Sequence, residues 1–251
     1  MISGMRRKAL VRDAAAVLFW LLLWQLGAMW ANRSLLLKIP LPLETLFAFL
    51  QLCGEESFWR SVGSSILHVF LGFLSAGILG TLGGVCSAVS PWFRHLSAPL
   101  LRLVRTVPVA AFILLAWLWI PSRILPSFVS ALMVLPIIWS HVEAGLNAVD
   151  GRLIEMARVF GMDSRRILLR VTLPLMTPTL RTGCLTGVGI AWKAGVAAEV
   201  ICNPTGSVGA LLQGAKVAVD YDRVFAVTLM VVLLSLLFEH ALRFIWREQR
   251  R

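Results

Sequence analysis

The chain reads as an all-α membrane protein with six transmembrane helices, both termini cytoplasmic, and one large cytoplasmic segment between the fourth and fifth spans. Three observations carry that reading. Of 251 residues, 58% are hydrophobic and only 15% charged, with a mean hydropathy of +0.81, whereas soluble domains carry about 25% charged residues. The charges fall in short runs that leave apolar intervals of membrane-spanning length. The basic residues, finally, divide unequally among the connections between those intervals.

The intervals follow in chain order. The first is Ala14–Ala31, after Arg6, Arg7, Lys8 and Arg12; it is longer than a signal-peptide core and lacks a small-x-small cleavage site, so it reads as an uncleaved anchor. The second covers 61–93 and ends at the Ser90-Pro91 turn. The third, 106–122, is short and opens with Pro108. The fourth is 124–142, the fifth 182–201 with Lys193 and Glu199 inside it, and the sixth 224–244. Between the first two, Leu43, Leu46, Phe47 and Leu50 follow Pro40 and Pro42 with helical spacing, which fits a short amphipathic helix on the outer surface; a plain tether fits equally well. The whole is one transmembrane domain: a tail at 1–13, the first helix and outer loop at 14–60, a five-helix core at 61–245 with a hydrophilic segment at 150–176, and a tail at 246–251.

With the N-terminus inside, 17 Lys and Arg residues lie on the cytoplasmic side and 6 outside, and Lys193 completes the 24. Cytoplasmic connections hold such an excess as a rule. The net charge of +11 is thereby explained by topology, and a nucleic-acid partner is unnecessary. Trp20, Trp30, Trp59, Trp92 and Trp246 fall near span ends, where interfacial aromatics concentrate. The four cysteines form no CxxC pair, so neither a disulfide framework nor a zinc site is indicated.

Small residues recur every four positions in two spans: Gly72, Ala76, Gly80 and Gly84 in the second, Gly183, Gly187, Ala191 and Gly195 in the fifth. Such stripes let helix backbones approach in lipid, so both helices belong at the crowded centre. Static packing within one subunit and a surface that slides during transport both account for them.

The cytoplasmic segment 150–176 is more than a connector. Asp150 suits a helix N-cap, and Leu153, Met156, Ala157 and Phe160 form an apolar stripe at i, i+3, i+4, i+7. Gly161 ends that helix, Asp163 can cap a second, and Val171-Thr172-Leu173-Pro174 closes it. Two short helices meeting at a glycine suit docking into a partner's groove; a hairpin lying on the lipid surface suits the pattern as well.

The residues here carry a family resemblance. Glu155-Met156-Ala157, then Gly161 after three intervening residues, and Val171-Thr172-Leu173-Pro174 after nine more, resemble the EAA loop of ABC-importer permeases, with Met156 replacing Ala and Val171 replacing Ile. Pro40 and Pro42, Arg105-Thr106-Val107-Pro108, and the stretch from Ala191-Trp192-Lys193 to Ala198-Glu199 resemble the nitrate/sulfonate/taurine branch. Trp117-Leu118-Trp119-Ile120 departs from the Trp-x-Gly turn common there. The resemblance implies a homodimeric pore, a cytoplasmic ABC ATPase dimer seated on it, and an external solute-binding protein. It also implies that Leu153, Glu155, Met156, Ala157, Phe160, Gly161, Leu173 and Pro174 serve ATPase coupling.

The chain's own residues agree with that division of labour. No GxxxxGK[ST] loop is present, so ATP and Mg are expected on the partner ATPase and no cofactor on this chain. HExxH and GxSxG are absent too, which leaves a pore subunit with no catalysis of its own. Pro108, Thr186, Trp192, Lys193 and Glu199 are the candidates for the translocation path. Lys193 is central among them, because a lone ammonium at a span's centre costs about 2.5 to 3.5 kcal/mol unless it meets protein or water. Helical spacing puts Thr182, Thr186, Gly189 and Lys193 on one face, a polar lane in which a cation favours a small anionic solute. A structural role for Lys193 is the alternative. A secondary transporter or channel without an ATPase would account for the spans but would leave 150–176 without a purpose.

Overall fold

A computed structural model describes residues 2–33 and 38–248, with side chains described at Arg12, 14–33 and 38–244. The side chains of Arg6, Arg7, Lys8 and Trp246 and the residues 249–251 of the C-terminal tail lie outside what is described. The regular structure of the described residues is helical throughout: α1 Ile2–Ala31, α2 Pro42–Cys53, α3 Glu56–Val89, α4 Pro91–Thr106, α5 Val109–Trp117, α6 Leu125–Asn147, α7 Gly151–Val159, α8 Ser164–Ile167, α9 Leu173–Cys202, α10 Val208–Val217 and α11 Tyr221–Glu248. Five of these stretches are long and apolar enough to cross a membrane, six if the bent pair α4/α5 counts as one. Side chains of α1 such as Phe19, Trp20 and Leu26 are 60 to 65% exposed, an outward apolar face that only lipid or another protein satisfies.

Two compact units can be separated, Met1–Trp59 with Leu211–Val231, and Arg60–Ala210 with Val232–Arg251. In the first, Trp24 stacks on Phe225 at 5.9 Å and Arg223 Nη2 pairs with Glu55 Oε2 at 2.8 Å. Helix α2 forms where the apolar spacing put one, and the Glu44 carboxylate accepts from the Leu41 amide at its start (2.8 Å). Its stripe of Leu43, Leu46, Phe47 and Leu50 faces outward.

In the second unit α6 is the central helix, packed along α9 and touched by α4 and α5. The small-residue stripes explain this. A Cβ on Gly84 of α3 would stand 2.7 Å from the Trp139 carbonyl oxygen of α6, and one on Gly195 of α9 would stand 2.7 Å from Val69 Cγ2 of α3. Both stripes therefore serve close packing within the chain. Ser130 Oγ of α6 adds a hydrogen bond to the Ala191 carbonyl of α9 (3.0 Å). Ile113, Leu125, Val129, Ala194 and Ala198 fill the core shared by α5, α6 and α9.

Three boundaries differ from the sequence reading. The third interval, read as 106–122, is a broken element: α4 and α5 meet at 102°. Pro108 disfavours helical backbone at the preceding residue, and Val107 is accordingly extended at φ −71°, ψ 129°. The nine residues of α5 reach only about 14 Å, less than half the hydrocarbon thickness. Arg94, Arg102 and Arg105, read as loop residues, sit on α4, where Arg94 pairs with Glu143 of α6 (2.7 Å) and Arg105 Nη2 donates to the Pro136 carbonyl (2.8 Å). The helix that carries the fifth interval begins well before 182, because Val171-Thr172-Leu173-Pro174 does not close a helix. A π turn over Leu168–Thr172 runs into α9 with Pro174 in its first turn. Proline lacks the N–H that would pair with the carbonyl of residue 170, and the chain absorbs the loss by widening one turn. The third difference is α10, which falls in the connection between the fifth and sixth intervals.

Candidate functional site: the coupling segment and the polar face of helix nine

The segment 150–176 is built as its residues suggest at the entry. The Asp150 carboxylate accepts from the Arg152 amide at 2.9 Å and starts α7. Gly161 ends it at φ +76°, a conformation costly for any residue with a Cβ, and Asp163 precedes α8. Asp163 makes no capping bond there; its carboxylate pairs with Arg166 Nε at 3.1 Å.

The apolar stripe of α7 divides in two. Leu153, Met156 and Phe160 are exposed at 38, 53 and 79%, and Val159, absent from the sequence-derived set, is exposed at 86%. Ala157, read as part of the docking contact, is 6% exposed and faces the chain's own interior, where α7 touches α8. It therefore leaves the set of residues available to a partner. Glu155 is exposed beside this face, and Leu173 and Pro174 are exposed at the start of α9. From Ser164 to Cys202 the chain is one run of 39 residues with no non-helical break, so α8 continues into the helix that carries Lys193 and Glu199, and α7 is joined to that run through the Gly161 turn.

On α9, Thr182, Thr186 and Lys193 are exposed, whereas Gly189 is buried, with Glu239 Oε1 3.4 Å from where its Cβ would stand. Lys193 lines an otherwise apolar groove of about 310 Å³ with Val109, Met133, Ile190, Ala194 and Ala197. Pro108, next to Val109, is exposed at the α4/α5 bend. Among the described residues Lys193 has no hydrogen-bond or ion-pair partner, so within this chain the structural alternative finds no carbonyl or carboxylate for it. Trp192 and Glu199, read as path candidates, point elsewhere. Trp192 is 1% exposed, edge-on to Phe238 of α11 at 5.1 Å.

Glu199 is fully buried at the centre of a network the sequence did not bring together. Its Oε2 accepts from Ser65 Oγ (2.6 Å) and from the Gly209 amide (3.2 Å), and His68 Nδ1 lies 2.9 Å from Oε1. Ser65 Oγ in turn accepts from the Val208 amide at 2.9 Å. The start of α10 thus caps a carboxylate on α9 that also anchors α3, the kind of satisfied set a buried charge requires. The available signal was Ser65 and His68, polar and three apart within an apolar span, three being a same-face spacing on a helix.

A helical chain with several helices long and apolar enough to cross a bilayer is a multi-pass membrane protein by architecture. The chain belongs to the family of binding-protein-dependent transport system inner membrane components, which it matches over residues 76–251. It is 28% identical to a putative ABC transporter permease protein of Methanocaldococcus jannaschii, covering 97% of this chain and 95% of that one. It is 28% identical to the taurine transport system permease protein TauC of Escherichia coli over 84% of this chain and 79% of that one. It is 32% identical to the nitrate import permease protein NrtB of Leptolyngbya laminosa over 61% and 53%. Its fold resembles a subunit of the MetNI methionine ABC transporter in inward-facing form (TM-score 0.64, 18% identity, 76% of this chain and 95% of that one). It also resembles a chain of a bacterial ABC transporter that imports the acidic polysaccharide alginate (TM-score 0.62, 15% identity, 98% of both).

Proposed function

We propose that this chain is the membrane-spanning subunit of an ATP-driven importer in the cytoplasmic membrane, paired with a second copy of itself. Two ABC ATPase subunits seat on the cytoplasmic segments, and an external binding protein delivers a small anionic solute. The observation that carries the reading is the exposed apolar end of α7, Met156, Val159 and Phe160, set on a glycine turn and joined through α8 and the π turn to α9. A push on α7 is thereby a push on the helix bearing Lys193. The chain supplies the path and the lever, and the partner supplies ATP and Mg chemistry. Co-purification of an untagged ABC ATPase with the tagged chain tests this pairing; a chain that purifies alone yet still supports uptake would contradict it.

The six-span arrangement with cytoplasmic termini is supported by the 17 to 6 division of basic residues. Cysteines placed at Ser164 and Thr205 are expected to react with a membrane-impermeant reagent from opposite sides, Ser164→Cys only from the cytosol. Labelling of both from one side would refute that topology.

An anionic solute is supported by Lys193, which has no ion-pair partner among the described residues and lines an apolar groove, and by relatives named for taurine and nitrate transport. The cost of leaving an ammonium at span depth is met if this face lines a watery path between two copies. Lys193→Met is expected to cut uptake about tenfold or more while binding-protein-stimulated ATPase activity and assembly persist, a loss matching about 1.4 kcal/mol of solute interaction. Uptake at the wild-type rate would remove Lys193 from the path.

A further inference from the structure

At the Cys202 end of α9, a polar cavity of about 570 Å³ lies over the Glu199 network. Ser64 and His68 of α3, Ser122 and Arg123 between α5 and α6, and Asn203 and Thr205 after α9 line it. Its volume suits a small ligand. The walls come from three separate chain segments, of which the Ser122 wall is held by Trp117 Nε1 donating to Ser122 Oγ at 2.9 Å and by Cys202 Sγ, 3.7 Å from the Ser122 carbonyl. Glu199 holds the α3 wall through Ser65 and His68. Asn203 turns the chain in the left-handed conformation, φ 49°, ψ 54°, and Ser207 Oγ ties the same turn by donating to the Pro204 carbonyl at 2.9 Å.

The lining is one-sided in charge. Arg123 makes no ion pair among the described residues, and none of the residues lining the cavity is a carboxylate. The nearby Glu199 carboxylate is spent on Ser65, Gly209 and His68 behind the wall. The His68 ring is oriented by that carboxylate through Nδ1, and its other nitrogen, Nε2, has no partner among the described residues. Hydroxyls of Ser64, Ser122 and Thr205 and the Asn203 amide add neutral donors. A guanidinium with no counter-ion among the described residues, beside hydroxyl and amide donors, matches the oxygens of a sulfonate, carboxylate or inorganic oxyanion.

We propose that this cavity is an anion-receiving site, in which Arg123 binds the oxyanion head of the solute and the hydroxyls of Ser64, Ser122 and Thr205 are further contacts. The proposal rests on the importer reading for the role of the bound anion, but the site's charge preference can be read without transport. The experiment uses the purified transporter in detergent, its four native cysteines changed to serine and Thr205→Cys introduced. Labelling rates are compared for an anionic sulfonatoethyl methanethiosulfonate and a cationic trimethylammonioethyl methanethiosulfonate, with and without methanesulfonate as the competing probe. Methanesulfonate is expected to slow the anionic reagent, and Arg123→Gln to lower the anionic-to-cationic rate ratio about tenfold, as removal of a focusing charge does. The competition arm needs only the Thr205→Cys chain, so it decides the matter even where Arg123→Gln does not assemble. Labelling that methanesulfonate leaves unchanged overturns the site while leaving ATP-driven import untouched. Competition by methanesulfonate in a transporter whose uptake ignores ATP would sink the importer reading and keep the site.

Discussion

Phe160→Asp is expected to abolish ATP-driven uptake while the permease still inserts and pairs with its second copy. Phe160 is 79% exposed, follows the last helical residue of α7, and precedes a glycine at φ +76°, so its replacement disturbs no packing within the chain. Against a partner it is an aromatic anchor. Truncating such a residue at a docking centre costs about 2 kcal/mol or more, roughly a thirtyfold loss of association, and a carboxylate in the same dry groove costs more because it must be desolvated without a partner. Phe160→Ala should therefore be measurably weaker and Phe160→Asp near zero, in pull-down of the ATPase and in uptake alike. Ala157→Arg, which the sequence alone would recommend, tests something else. Ala157 is buried, so an arginine there attacks the fold of the segment, and loss of coupling would say nothing about docking. Wild-type ATPase association in Phe160→Asp would place the contact elsewhere.

The second large effect is expected at Glu199. Its carboxylate satisfies Ser65, the Gly209 amide and His68 while fully buried. Glu199→Ala leaves those three donors facing a cavity, and removing one member of a buried charged set costs about 3 to 5 kcal/mol. Ser65→Ala removes one neutral donor and orphans the Val208 amide, which costs about 1 to 3 kcal/mol. Thermal unfolding of the detergent-solubilised protein, followed by tryptophan fluorescence, should rank wild type above Ser65→Ala above Glu199→Ala. Equal midpoints for the two variants would mean that the carboxylate carries no more of the structure than the serine does.

Much of the architecture was legible because lipid imposes simple rules. The helices α1, α3, α6 and α11 coincide with apolar intervals read between charges, and the four-residue stripes of glycine and alanine marked the faces that meet α6. What was illegible follows from proline and from distance. Pro108 read as the entry to a span, yet its effect on Val107 turns the chain by 102° and leaves α5 too short to cross alone. Pro174 read as a stop, yet the π turn over Leu168–Thr172 absorbs its missing N–H and the helix runs on into α9. The segment 150–176 was legible in its helix spacing but not in facing, since periodicity gives a stripe and cannot say which part of it the chain buries against itself: Ala157 went inward and Val159 outward. The Glu199 network was hidden for a different reason. Ser65 and Glu199 are 134 residues apart, and nothing in either local sequence announces the other.

Uptake into proteoliposomes tests the central claim most directly. The reconstituted chain, its ATPase and its binding protein are assayed with taurine or nitrate as trial solutes, under ATP, under a non-hydrolysable ATP analogue, and under an imposed ion gradient without nucleotide. The account predicts accumulation only when hydrolysable ATP and the loaded binding protein are both present. Accumulation driven by the ion gradient alone, with neither ATP nor binding protein, would contradict it.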